Sequence, residues 1–267
     1  MLRLNELSNL KGRNAIVTGA SGNLGAVIAN TLAELGANLI LTDQKTANLE
    51  QLKQEIIKKW KINVVYMHCD LELQEERNEL IEWVKSNFKV IDILINNAAF
   101  VGSSNLKGWN EDFESQSVET WRRAMEVNVT AAFELCQKLL HLLRKSQSAS
   151  IINIGSIYGV NGPDWRLYEN INMANPAAYA SSKAALIQLT RWLATTISPE
   201  VRVNSISPGG IKRGQSEEFI QRYEKKTPLG RMASEDDFRG AIAFFSTDLS
   251  AYVTGQNLLV DGGWGVW

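Results

Sequence analysis

Seven short apolar runs punctuate the chain: 14–19 (NAIVTG), 37–43 (ANLILTD), 62–70 (INVVYMHCD), 90–97 (VIDILINN), 150–156 (SIINIGS), 201–209 (VRVNSISPG) and 255–263 (GQNLLVDGG). Each is rich in β-branched residues or leucine and closes on Gly, Asn, Asp or Ser, which is how buried strands read. Between them the apolar spacing lengthens to the helical period, predicting helices over 23–35, 46–60, 72–88, 118–145, 177–197 and 234–247. The last opens on Ser234-x-x-Asp237, a capping pattern. Strands without polar alternation are covered on both faces, as in a parallel sheet with helices on each side. No Pro-, Gly- or Ser-rich linker, repeat or low-complexity tract interrupts the order. The expectation is an α/β fold, one doubly wound domain over 1–267 with a seven-stranded parallel sheet, whose ligands gather at the carboxyl ends of the strands.

Composition changes this picture little. The chain is 45% hydrophobic and 21% charged, enough apolar material for a sizeable core. A net charge of −1 gives no reason to expect nucleic acid or an anionic membrane as partner. Two cysteines, Cys69 and Cys136, and two histidines, His68 and His141, exclude a disulfide framework and a structural zinc site from the expectations. The histidines read as packing or surface residues. With no signal-like N-terminus and no long uncharged apolar stretch, the expected location is the cytoplasm.

Two stretches carry chemistry. In NAIVTGASGNLGAVIANTL a strand runs through a glycine turn into a helix, and Gly19, Gly22 and Gly25 permit a tight turn, close approach and close packing. Free N–H groups at such a helix start can hold a pyrophosphate. Asp43, ending the second strand, can accept from adenosine ribose hydroxyls and repels an added phosphate, which favours NAD over NADP, with Lys45 nearby as a counterweight. The same carboxylate could instead cap the helix that follows. In AYASSKA, Tyr179 and Lys183 lie one helical turn apart, so a cation is expected to pull the phenol's pKa down toward working pH.

In order along the chain, TGASGNLG at 18–25, Asp70, NNAA at 96–99, Asn128, Ser156, Tyr179-x-x-x-Lys183 and SPGG at 207–210 resemble the short-chain dehydrogenase/reductase family over nearly the whole length. The resemblance implies a Rossmann-type fold and an oxidoreductase that interconverts a secondary alcohol and a ketone. It implies Tyr179 as acid/base, Ser156 holding the substrate oxygen, Lys183 on the nicotinamide ribose and Asn128 holding a relay water. It also implies a cofactor bed of Gly19, Ser21, Asn23, Leu24 and Gly25, then Asp43, Asp70, Leu71, Asn97 and Ala98, then Pro208, Gly209 and Ile211, with Tyr179 and Lys183. The glycine spacing departs from the family's commonest form, which would put glycine at position 23, and matches that of longer members.

Between Ser156 and Tyr179 the chain is longer than the resemblance implies. This insertion, about 157–176, carries Asp164, Arg166, Tyr168, Glu169, Asn170, Asn172 and Asn175, which suit a polar, sugar-like small-molecule substrate. A second segment, 211–231, matches the family's lid, and its Arg213 and Arg231 could meet an anion. The insertion and the DGGWGVW terminus resemble a bacterial subgroup linked to surface-sugar and flagellin-glycan synthesis. Trp264, Val266 and Trp267 are expected to be buried in a subunit contact or over a neighbour's site, and the tryptophans at 60, 83, 121 and 192 in core or interface; the expected assembly is a homo-oligomer, tetramer or dimer. The competing expectations are a 3-oxoacyl thioester reductase using NADPH and a non-catalytic NAD-binding sensor or scaffold.

Overall fold

The computed structural model describes residues 1–101, 106–171 and 173–267; Asn172 of the insertion lies outside them. All seven predicted strands form, trimmed at their ends: β1 Asn14–Thr18, β2 Asn38–Asp43, β3 Val64–His68, β4 Ile93–Asn96, β5 Ala149–Ile154, β6 Val201–Pro208 and β7 Asn257–Val260. They make one sheet in the order β3-β2-β1-β4-β5-β6-β7. Every neighbouring pair is parallel. The order reverses between β1 and β4, the crevice where a doubly wound sheet binds its ligand.

The helices are α1 Leu4–Leu7, α2 Asn23–Glu34, α3 Leu49–Trp60, α4 Gln74–Asn87, α5 Val118–Met125, α6 Ala131–Leu143, α7 Ala177–Thr196, α8 Glu217–Lys226 and α9 Arg239–Ser246. One core lies under α2, α3 and α9 against one face of the sheet, and a second lies under α4, α6 and α7 on the other. This two-sided burial is why the strands read as unbroken apolar runs. Ser234 and Asp237 do form a capping box, at a 3-10 turn that leads into α9.

The structure departs from the sequence pattern in several places, beginning with the short unpredicted α1. The single helix predicted over 118–145 is α5 and α6 joined by one π-helical turn, Glu126–Thr130, with buried Asn128 inside it. Such turns inside α-helices are frequent at functional sites. Helix α8 arises in the lid segment. A third, smaller core joins the insertion, α8 and the C-terminal tail around Ile157, Leu167, Phe219, Tyr223, Met232 and Trp264.

Candidate active site

A cleft of about 860 Å³ opens over the carboxyl ends of the strands, in the volume range of cofactor and substrate sites. Its floor begins at the glycine turn. Gly19 takes a positive φ of +61°, and a Cβ there would lie 2.8 Å from the Ala98 Cα. A Cβ on Gly25 would lie 2.0 Å from the Gly19 carbonyl oxygen, so α2 can approach β1 only with glycine at that position. Gly22 serves as the N-cap of α2 without any side chain to satisfy the first-turn N–H groups, which are left for a ligand. Asn97 locks the turn from the next strand: its Nδ2 donates to the Thr18 carbonyl at 2.9 Å and the Gly19 carbonyl at 3.0 Å. Thr18 Oγ1 accepts from the backbone N–H groups of Asn97 and Ala98, each at 3.0 Å.

Asp43 closes β2 beside this turn. Its Oδ2 accepts from Ser21 N at 2.9 Å and Ser21 Oγ at 2.7 Å. The helix cap is not its work: Asn48 caps α3 by accepting from Gln51 N, because the helix starts too far along the chain for Asp43 to reach. Lys45 points elsewhere and pairs with Glu76 at 2.6 Å. Gly19, Ser21, Asn23, Leu24, Gly25, Asp43, Asp70, Leu71, Asn97 and Ala98 all border the cleft, as do Pro208, Gly209 and Ile211.

Ser156, Tyr179 and Lys183 line the same cleft. Ser156 follows β5, and its Oγ accepts from Tyr158 N at 3.1 Å. Lys183 is buried in α7, donates from Nζ to the Ile154 carbonyl at 2.7 Å and lies 5.9 Å from the centre of the Tyr179 ring. The anticipated depression of the Tyr179 pKa by Lys183 does not occur. Burial pushes the phenol above its ordinary value and outweighs the neighbouring Ser156 hydroxyl and the Arg213 charge, both of which favour the phenolate. The lysine is itself affected: burial lowers its pKa to about 8.

The sequence finds its kin at this point. Residues 19–265 match the family model described as enoyl-(acyl carrier protein) reductase. The chain belongs to the short-chain dehydrogenase/reductase family. It is 30% identical to the 3-oxoacyl-(acyl-carrier-protein) reductase FabG of Aquifex aeolicus, over 95% of this chain and 98% of that one. It is 29% identical to the post-translational flagellin modification protein A of Campylobacter coli, over 96% and 100%. Among solved structures, a short chain dehydrogenase from Leptospira borgpetersenii serovar Hardjo-bovis with bound NAD+ is 34% identical, with a TM-score of 0.84 over 99% of this chain and 97% of that one.

For a short-chain dehydrogenase/reductase a nicotinamide dinucleotide is the implied cofactor, and the residues fit it. Gly19 and Gly25 pack the turn tightly against Ala98 and the start of α2, that start is uncapped, and Asp43 stands at the second strand end. Asn128, by contrast, does not border the cleft. Its Oδ1 accepts from Phe100 N at 2.6 Å and its Nδ2 donates to Ser182 Oγ at 2.9 Å. Ser182 Oγ in turn donates to the Tyr179 carbonyl at 2.9 Å, so the π turn braces the stretch of α7 that carries the tyrosine.

The insertion meets the cleft differently from its polar composition. Tyr158, Tyr168 and Met173 form wall, whereas Asp164, Arg166, Glu169, Asn170 and Asn175 lie outside it. Asp164 instead accepts from Arg166 at 2.8 Å and from Lys226 at 3.0 Å, which hold its carboxyl well below the usual carboxylate range. The Tyr158 and Tyr168 hydroxyls hydrogen-bond each other at 2.6 Å. Of the three lid arginines, Arg213 lines the cleft, whereas Arg231 pairs with Asp237 and Arg222 donates to the Leu167 and Glu169 carbonyls. His68 lies outside the cleft, its Nδ1 3.0 Å from the Gln44 carbonyl oxygen, and His141 is in the last turn of α6.

Several wall residues had no distinguishing pattern in the sequence. Phe100, Val101 and Leu106 follow β4, while Phe219, Tyr223 and Met232 come from α8 and the loop after it. Thr18 had a weak signal, a hydroxyl at a strand end directly before the glycine turn. Trp264 is 1% exposed inside its own chain rather than in a subunit contact, because the third core receives it.

Proposed function

We propose that this short-chain dehydrogenase/reductase interconverts a secondary alcohol and a ketone on a polar, sugar-related small molecule, using NAD(H), with Tyr179 as acid/base. The observation that carries the proposal is the meeting of Ser156, Tyr179 and Lys183 in one cleft with the glycine turn and Asp43. Bound there, the nicotinamide would accept or supply hydride. Gly19, Ser21, Asn23, Leu24 and Gly25 would hold its diphosphate side, Asp43 its adenosine ribose, and Lys183 its other ribose. Asp70, Leu71, Asn97, Ala98, Pro208, Gly209 and Ile211 would complete the bed.

Ser156 Oγ would hold the substrate oxygen and stabilise charge developing on it. With its pKa raised, Tyr179 keeps its proton, which suits donation to a carbonyl oxygen in the reductive direction. Asn128 acts through Ser182 as a positioning residue. Preference for NAD rests on Asp43 and on the engagement of Lys45 by Glu76.

A second reading, a 3-oxoacyl thioester reductase, draws support from the apolar wall of Leu106, Met173, Phe219 and Met232. The chain would act as one domain, in the cytoplasm, as a homotetramer or homodimer; Trp121 of α5, Phe133 of α6 and Trp192 of α7 are exposed apolar residues that subunit contacts would cover. Light scattering that gives a monomer at micromolar concentration would remove the oligomer. For the catalytic assignment, Tyr179→Phe should lower turnover at least a hundredfold while leaving the Kd for NAD within about threefold. Retention of more than a few per cent of the activity would overturn it, and a wild-type protein that binds NAD without any turnover would favour the sensor.

A further inference from the structure

We infer that the Arg213 guanidinium binds an anionic group, a carboxylate or a phosphate, inside the cleft. The inference rests on the oxidoreductase reading for where the reacting end of the cleft lies, and deepens it by naming a charge the ligand must carry. Arg213 follows β6 in the loop that leads to α8, and the structure holds this loop firmly. Ile211 pairs with Ala233 as an isolated parallel bridge, Lys212 N donates to the Ala233 carbonyl at 2.9 Å, and Arg213 N donates to Gln215 Oε1 at 2.8 Å. The side chain is held as well, since Nε donates to Glu235 Oε1 at 2.8 Å.

That single bond engages only one edge of the guanidinium. Among the described residues neither terminal nitrogen of Arg213 has a protein acceptor, so the planar fork that matches a carboxylate or phosphate is open to the cleft. Of the other cations of the cleft, Arg123 is committed, giving Nε and Nη2 to the two oxygens of Glu72 at 2.6 and 3.1 Å, and the buried Lys183, which donates to the Ile154 carbonyl, is assigned to the cofactor ribose. Of the other two lid arginines, Arg231 gives both terminal nitrogens to Asp237, and Arg222 donates from Nη1 to the Leu167 and Glu169 carbonyls. Glu235 therefore aims Arg213 without satisfying it. An arriving anion would displace water from the fork and would not have to break the Glu235 pair. The bland alternative is a solvated cation on a half-exposed loop, which the fixed Nε and the position in the cleft wall argue against. The charge also favours ionisation of the Tyr179 phenol, which puts it in electrostatic reach of the reacting end.

Two sources can supply the anion: the diphosphate of the cofactor, or a carboxylate or phosphate on the substrate. Calorimetric titration of the full-length wild type and Arg213→Gln distinguishes them. The first arm compares ADP-ribose, which has the diphosphate but no nicotinamide, with adenosine. The second, at saturating NAD, uses a panel of hydroxy acids and sugar phosphates, each beside its uncharged counterpart. The substitution should weaken the charged probe about tenfold or more in at least one arm and leave the neutral probes unchanged. Loss in the first arm assigns the anion to the cofactor, and loss in the second to the substrate.

Arg213→Lys should recover part of the affinity, because it keeps the charge and loses the fork. A change below threefold for every charged probe overturns the inference, a wild type that binds no member of the second panel counting as no change in that arm. Were the oxidoreductase reading to fail, turnover would be missing from the wild type while both binding arms still report on Arg213.

Discussion

At the glycine turn the wall of the cleft is main chain, and space is set by atoms that are not there: a Cβ on Gly25 would meet the Gly19 carbonyl oxygen at 2.0 Å. At the far end the wall is side chains, with Tyr158, Tyr168, Phe219 and Tyr223 packed around Trp264. The first region is specified by a few positions close together in sequence. The second is assembled from an insertion, a lid helix and a tail that meet only after folding. A cofactor with fixed geometry suits a bed that cannot adjust, whereas a packed aromatic cluster can be re-cut by changing side chains without moving the sheet.

The largest expected effect tests whether the two regions are separable. Trp264→Ala should cost about 3–5 kcal/mol of stability, since it empties the centre of the third core. The Kd for NAD should stay within about threefold while the KM for substrate rises. An equal loss of NAD affinity would mean that the two ends are one cooperative unit.

Lys183 stands at the junction, and pH reports on it. Its folded pKa is about 8 against an ordinary 10.5, so between those values the unfolded chain holds a proton that the folded chain has released. The Lys183 contribution to stability should therefore climb as pH rises through this window, by on the order of 3 kcal/mol in all, and the cost of the buried charge is fully present below it. Urea unfolding of wild type and Lys183→Met at several pH values checks this. The stability difference, wild type minus variant, should grow as pH rises from about 8 to 10.5, and parallel curves would show that Lys183 makes no such contribution.

The smallest effect sharpens the account of the glycine turn. Gly25→Ala should destabilise by about 1–3 kcal/mol, through overpacking against Gly19. Gly22→Ala, whose Cβ would find its nearest neighbour at an ordinary 3.4 Å, should stay within about 0.5 kcal/mol. Equal melting temperatures for the two variants would show that close packing does not govern this turn.

Much of the fold was legible because it is written in local periods. Every strand run became a strand, and Ser234 and Asp237 formed their cap, since each depends on residues a few positions apart. The candidate site was legible in part for a related reason: the glycine turn and Asp43 follow strands and Tyr179 lies one helical turn from Lys183, whereas Ser156 was marked only by the family resemblance. The π turn at Asn128 was not, because its five-residue closure leaves no mark on apolar spacing.

By itself the sequence determined the order of strands and helices, the glycine turn and the stacking of Tyr179 on Lys183, because short-range sterics and the helical repeat act before any distant contact exists. Only the tertiary structure decided which way the groups titrate, which arginine faces the cleft and where Trp264 goes. Those outcomes depend on burial and on partners far away in the chain, and desolvation of Tyr179 outweighs the Ser156 hydroxyl and the Arg213 charge beside it.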